Sequence, residues 1–520
     1  MGTQISIFDG ANKYVNDKPI RLIECFAGYG SQALALKYLG IPFEHHRIAE
    51  WAVKSIQAYK DMHFHDDNTD YSCGMSFDNV IDYLFERGIS ADYNKPMTRE
   101  QIKRIGENKC RTVYNNINAT HNLVSVCNVK AKDLEITDTE HFTYLLTYSF
   151  PCQDLSMAGK RKGMDKDSET RSGLLWEIER ILKECDELPQ VLLMENVPEV
   201  IGQKNKDAFG DWIEVLDNLG YKSKWEILNA TDFEMPQNRK RCFMVSVLGD
   251  YYYDFPQKVG CTLRLKDFLE KNVSEEYYLS DNILNYFIKR TKESKEKGNG
   301  FRFEPSYGDF IAKCVTTKAG SRMDDNFIYD CECLGMLEGG KWDNSIESSR
   351  RVYSVEKAAP TVTTCGGGNQ EIKIAIPANT KQGYEYAEEG DTINIAYPNS
   401  QTRRVRVGKQ VAQTILTKNE QVLVEPLALD EQNGYIRQDG TVGTIVTDGS
   451  SPKHNNRVVE PMPNMRVRKL TPRECFRLMG VKDEDYERVA RNQSKSSQYH
   501  LAGDSIVVNV LMAIFKELFM

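Results

Sequence analysis

A cysteine sits in Pro151-Cys152-Gln153, directly after the apolar run from Tyr144 to Phe150 and ahead of a Gly-punctuated loop carrying Lys160, Arg161 and Lys162. A free thiol has a pKa of about 8.5, so only a few per cent of it is thiolate at neutral pH. Neighbouring cations and the N–H groups of a strand-to-loop turn raise that fraction. Two roles compete: a core cysteine near a surface loop, because free Cys is among the most buried residue types, or a nucleophile aimed at an anionic substrate. Its company favours the nucleophile. Glu195 and Asn196 end a second apolar run, Val191 to Met194, and a carboxyl at such a lip is a candidate for a raised pKa and acid work. Arg239 and Arg241 stand two apart just before a further apolar run, so alternation puts them on one face of a strand.

A second group suits a cofactor. In "ECFAGYGS" (24–31) Gly28 and Gly30 allow a sharp turn and close backbone approach to a ligand. Glu50 lies 20 residues past Gly30 at the end of the next strand, where a carboxylate can bind a ribose hydroxyl pair. That spacing specifies a nucleoside cofactor without saying which one. Trp51 could stack on an adenine, although an aromatic that starts a helix more often belongs to a core.

The elements that must position these residues alternate. "IRLIECFAG" (20–28), "FEHHRIAE" (43–50), "TYLLTYSF" and "QVLLMENV" read as strands. "SQALALKYLG" (31–40), "WAVKSIQAYKDM" (51–62) and "GLLWEIERILKECDEL" (173–188) read as helices between them. Such alternation predicts an α/β fold with a mostly parallel sheet and helices on both faces, whose strand ends open on one crevice. Residues of about 65–112 read as an insertion with two amphipathic helices, "FDNVIDYLFERG" and "TREQIKRIGENK". Beyond about 250 the texture becomes β-rich. Four Thr-centred segments, 312–320, 359–367, 412–420 and 442–450, are either ordinary hairpin grammar or duplicated recognition units.

Composition narrows the classes. The chain has 520 residues, too many for one core, with 40 % hydrophobic and 27 % charged residues, as in ordinary globular proteins. No apolar run approaches the roughly 20 residues of a membrane span, and the start lacks a secretion signal, so the expectation is a cytoplasmic protein with reduced thiols. A net charge of −8 excludes a uniformly basic coat but allows a local basic cleft. Basic clusters lie at 160–162, 238–241, 403–409 and 466–477. Cys331-x-Cys333 has no second pair, and His63, His65, Cys73 and Cys110 lack ligand spacing, so no metal is expected.

Phe26-Ala27-Gly28-Tyr29-Gly30, Pro151-Cys152-Gln153, Glu195-Asn196-Val197, Gln237-x-Arg239-x-Arg241, "RKLTPRECFRLMG" (468–480) and "YHLAGDSIVVNVL" (499–511) occur in this order. Together they resemble the motifs of the DNA cytosine-C5 methyltransferase family of bacterial or phage type. The resemblance covers about 20–62, 128–255 and 463–520. It implies a Rossmann-like catalytic domain at 1–254 that binds S-adenosyl-L-methionine, a β-rich target-recognition domain at 255–490, and a segment at 491–520 returning to the catalytic domain. It further implies that Cys152 attacks C6 of a flipped cytosine, that Glu195 contacts N3 and the exocyclic amine, and that Arg239 and Arg241 hold the base and its developing charge.

The cofactor site implied by the resemblance is Phe26, Gly28, Gly30, Glu50, Trp51, Asp133, Leu134, Pro151, Leu174, Asp504, Ser505 and Ile506. The implied DNA contacts are Gln153, Lys160, Arg161, Lys162, Arg403, Arg404 and Arg406. Double-stranded DNA is the expected partner of a monomer, with a cognate restriction endonuclease as a functional rather than physical counterpart and no membrane. The chain departs from the family at Asp504, where Asn is common; an ionised Asp accepts hydrogen bonds but cannot donate them. Two other functions remain to be weighed. The same chemistry on tRNA cytosine goes with a compact target region, whereas this one is large, and a catalytically silent DNA-binding relative would not need Cys152, Glu195, Arg239 and Arg241 intact.

Overall fold

Two fully buried strands, Thr143–Tyr148 and Val191–Asn196, form the middle of a six-stranded sheet. Its order is Phe43–Ala49, Ile20–Cys25, Thr143–Tyr148, Val191–Asn196, Lys240–Leu248, Tyr221–Asn229. The first four strands pair in parallel, and Lys240–Leu248 runs antiparallel to both its neighbours. Continuous apolar runs such as Leu145-Leu146 and Val191 to Met194 suit strands covered on both faces. This is a Rossmann-like α/β fold with a mixed sheet. The computed structural model describes residues 12–151, 155, 164, 171–330 (save 272, 297, 299–301, 307 and 309) and 466–520, together with short strands between 333 and 458. Cys152, Gln153, Lys160, Arg161, Lys162, Cys331, Arg403, Arg404, Arg406 and three of the four Thr-centred segments lie outside the described residues.

The chain divides into two compact units: Met1–Val273 with Gly308–Asn326 and Leu470–Met520, and Ser274–Tyr307 with Phe327–Lys469. In the first, helix Ser31–Leu39 ends at Gly40, whose left-handed φ of 71° lets its N–H reach the last carbonyls. It packs on Val508–Phe519. Helix Leu175–Glu184 lays Trp176, Ile178, Ile181 and Leu182 on the sheet, against Trp212 of helix Lys206–Asn218. Its first turn, Arg171–Leu174, is 3-10, so the α-helix starts later than the sequence pattern suggests.

The insertion is helical, but its second predicted helix is broken. Phe77–Arg87 is one helix; Arg99–Ile105 and Glu107–Ala119 are separated by Gly106, at φ 92°, and the last runs past the expected boundary. They enclose a small core of Val80, Leu84, Ile102 and Val113 that also takes Ile56 of helix Val53–His63. The insertion is thus packed onto the helix that follows Glu50.

The second unit contains helix Asp281–Glu296 and strand Phe327–Asp330, which pairs antiparallel with Arg466–Lys469. Phe287, Phe303 and Phe327 pack together. Short strands form a four-stranded sheet between Cys333 and Ala387 and two three-stranded sheets between Thr392 and Val458. Among the described residues no helix is long and apolar enough to cross a membrane, and no group of three or more His, Cys, Asp and Glu could hold a metal ion.

Candidate active site

The turn after strand Ile20–Cys25 is held from below by the next strand. Phe26, at φ 61°, donates its N–H to Ala49 O at 2.8 Å. Gly28 and Gly30 also have positive φ, and a Cβ on Gly30 would overlap His63 and Tyr59. Gly28 N–H donates to Glu50 Oε2 at 2.9 Å and Ala52 N–H to Oε1 at 2.8 Å. Burial pushes Glu50 up to about 7, against those two hydrogen bonds and with the charge of Asp504 adding to it. Asn122 completes the frame: its Oδ1 accepts from Glu50 N–H and Val124 N–H, and its Nδ2 donates to Glu50 O. Nothing in the spacing singles out Asn122, because it acts on Glu50 from 72 residues away. Trp51 is half-buried and packs on the small core of the insertion.

Glu195 and Asn196 end their strand at the same edge of the sheet. Asn196 Nδ2 donates to Phe150 O at 3.0 Å, so one strand end grips the chain leading to Pro151. Trp176 Nε1 donates to Met164 O at 2.8 Å. Glu195 pairs in register with Phe243 and Asn196 with Cys242. Because Lys240–Leu248 runs the opposite way, its beginning lies at the C-terminal edge of the parallel strands. Arg241 therefore meets Glu195, Nε to Oε1, at 3.0 Å. Burial pushes the Glu195 carboxyl up; the guanidinium charges of Arg241 and Arg239 oppose that, and Asp504 adds to it.

Arg239 is buried and turned into the protein. One terminal nitrogen donates to Cys314 Sγ (3.3 Å) and Val315 O (3.0 Å), the other to Gly503 O (3.0 Å) and Ser505 O (2.7 Å). Gln237 makes a parallel link: Oε1 accepts from Val315 N–H, and Nε2 donates to Leu478 O. The segment around Cys314, the first of the Thr-centred strings, therefore belongs to the catalytic unit and pairs with Gln237–Asn238. Burial raises the Cys314 thiol, but the charges and hydrogen bonds of Arg239 and Arg241 outweigh it and hold it below the ordinary cysteine value. Gly503 touches the backbone of Thr316 and Thr317 so closely that any Cβ would overlap them.

The remaining expected cofactor residues divide. Ser505 and Ile506 are buried, Asp504 is exposed, and Leu174 is half-buried against the main core. Leu134 is buried with its carbonyl 2.9 Å from His46 Nε2. The Asp133 carboxylate accepts from Lys130 N–H at 2.9 Å, closing its own turn Ala131–Leu134 beside strand Phe43–Ala49. A buried carboxylate ordered by backbone N–H groups, next to a glycine turn, fits a nucleoside with free hydroxyls.

Fold and site together present an acid and an arginine paired at the edge of a Rossmann-like sheet. A family model described as C-5 cytosine-specific DNA methylase matches residues 102–520, and the chain belongs to that family. It is accordingly an enzyme that methylates C5 of cytosine in DNA. It is 28 % identical over 502 residues to the type II methyltransferase M2.ScrFI of Lactococcus lactis subsp. cremoris, covering 96 % of this chain and 99 % of that one. It is 38 % identical over 290 residues to the orphan methyltransferase M.SssI of Spiroplasma monobiae, covering 54 % of this chain and 72 % of that one. The solved structure of the Entamoeba histolytica methyltransferase EhMeth matches with a TM-score of 0.50 at 13 % identity, over 96 % of this chain and 98 % of that one, a likeness of fold.

Proposed function

We propose that Cys152 is the nucleophile, that Glu195 is the acid at N3, and that the methyl donor is S-adenosyl-L-methionine. C5 of cytosine is a poor nucleophile until C6 is saturated, and a covalent thiolate splits one hard step into two easier ones. Addition of the Cys152 sulfur to C6 moves the ring electron pair toward C5 and N3, where Glu195 supplies a proton or hydrogen bond. When bound, the cofactor supplies the methyl group. Transfer of the C5 proton to water then expels the Cys152 thiolate, and return of the N3 proton to Glu195 restores the ring. Arg241 orients Glu195 and balances charge beside the base, and Arg239 positions the 503–505 turn. Glu50, the Gly28–Gly30 turn, Trp51 and residues 504–506 would hold the cofactor.

The observation that carries this reading is the Glu195–Arg241 pair at the edge where Asn196 holds the chain leading to Pro151. C5 and C6 are stacked within a duplex, so the base must swing out at a cost of a few kcal/mol. Gln153, Lys160, Arg161 and Lys162 would meet the phosphates, and Arg403, Arg404 and Arg406, in the β-rich stretch of 255–490, would help read double-stranded DNA from the major groove. The enzyme is proposed to act as a cytoplasmic monomer, with a cognate restriction endonuclease as its functional counterpart. Purified protein should transfer labelled methyl from S-adenosylmethionine to duplex DNA, and Cys152→Ser should abolish transfer while keeping DNA binding. Labelling of a tRNA pool but not of DNA would overturn this reading.

A further inference from the structure

The insertion reaches the cofactor end of the catalytic unit. Val53 N–H donates to Ser90 O at 2.9 Å and Ser90 N–H to Trp51 O at 2.8 Å, which stitches the segment after helix Phe77–Arg87 to the chain just past Glu50. Three residues on, Tyr93 adopts φ 62°, a left-handed conformation that is unfavourable for a bulky side chain. Its ring stacks on His500, with centroids 4.3 Å apart and planes 16° from parallel. Its hydroxyl lies 3.2 Å from Ser55 Oγ. Burial pushes that hydroxyl above the ordinary tyrosine range, and the charges of Glu50 and Asp504 both add to the effect. The ring therefore sits between the chain just past Glu50 and the helix that ends at Asp504.

The turn that sets this φ is held by Asp92, whose Oδ1 accepts from Asn94 N–H and Lys95 N–H; such backbone outliers cluster at ligand sites. His500 Nδ1 is buried with no hydrogen-bond partner among the described residues, and a buried polar nitrogen is costly to leave unpaired unless a ligand pairs with it. His500 stands four residues before Asp504 on helix Lys495–Asp504, one turn back on the same face.

We propose that Tyr93, backed by His500, forms a wall of the cofactor site beside Glu50, so that the insertion contributes to binding the nucleoside part of the cofactor. This rests on the reading that S-adenosylmethionine binds at Glu50. An insertion that served only as packing would stabilise the fold without touching ligand affinity.

The test is equilibrium binding of S-adenosylhomocysteine to the full-length protein without DNA, with the ligand-free thermal midpoint measured for each variant. Tyr93→Ala and His500→Ala should each weaken binding by about five- to tenfold. The double variant should lose little more than either single one, because both remove the same stack. Tyr93→Phe, which keeps the ring, should bind like the unaltered protein. Unchanged affinity in Tyr93→Ala, with or without a lower midpoint, overturns the proposal. If Tyr93→Ala does not fold, His500→Ala decides by the same criterion. Failure of the unaltered protein to bind S-adenosylhomocysteine would bring down the cofactor reading itself, a distinct result.

Discussion

Arg241 Nε lies 3.0 Å from Glu195 Oε1, with side chains only 18 % and 10 % exposed. The pair joins the end of a parallel strand to the start of an antiparallel one. A charge pair so poorly hydrated is more consequential to break than to form, because the remaining partner keeps its desolvation cost. Here that asymmetry tunes an acid.

Burial raises the Glu195 carboxyl and Arg241 is the foremost opposing charge. Removing the cation in Arg241→Met should let Glu195 keep its proton to higher pH. In the proposed reaction the protonated acid is the useful form, so activity falls as pH rises through its pKa. The alkaline limb of the single-turnover rate should therefore move to higher pH in the variant, while the maximal rate drops. A limb that stays in place or moves to lower pH would contradict this assignment.

Glu24 offers a test of stability. It is fully buried, accepts a 2.6 Å hydrogen bond from Tyr59, and burial pushes it up to about 7. An unfolded glutamate releases its proton at about pH 4.3. Between that value and the folded one, the folded chain holds a proton that the unfolded chain has lost, so stability falls as pH rises. Glu24→Gln should flatten the decline of the thermal midpoint across that window. Glu50 acts in the same direction, so some slope should remain.

Asp504 is exposed, and its charge reaches both Glu50 and Glu195. The proposed methyl donor, S-adenosylmethionine, carries a sulfonium charge that its product lacks. Asp504→Asn should therefore weaken S-adenosylmethionine more than S-adenosylhomocysteine, by a factor of about three. Calorimetric titration of both ligands gives the ratio; equal weakening would show that the carboxylate does not distinguish them.

Arg239 links residues 314–315 to the 503–505 turn through four hydrogen bonds. A lysine has no planar fork and cannot reproduce them. Arg239→Lys should lose about 2–3 kcal/mol of stability in denaturant unfolding, and bind S-adenosylhomocysteine more weakly as the turn loosens. Stability and affinity both unchanged would remove Arg239 as a positioning residue.

What the sequence determined by itself was local. The apolar runs ending at Phe150 and Asn196, the glycine turn at 28–30 and the carboxylate of Glu50 are legible because burial, alternation and turn geometry depend on near neighbours. Helix ends were less legible where backbone conformation intervenes, as at Gly106. Only the tertiary structure decided which distant segments meet. Strand reversal at Lys240–Leu248 brings Arg241 to Glu195, Arg239 gathers Cys314 and Gly503, Asn122 frames Glu50, and a loop of the insertion lays Tyr93 on His500. These contacts join residues far apart in the chain through strand direction and side-chain packing, which no short window of sequence records.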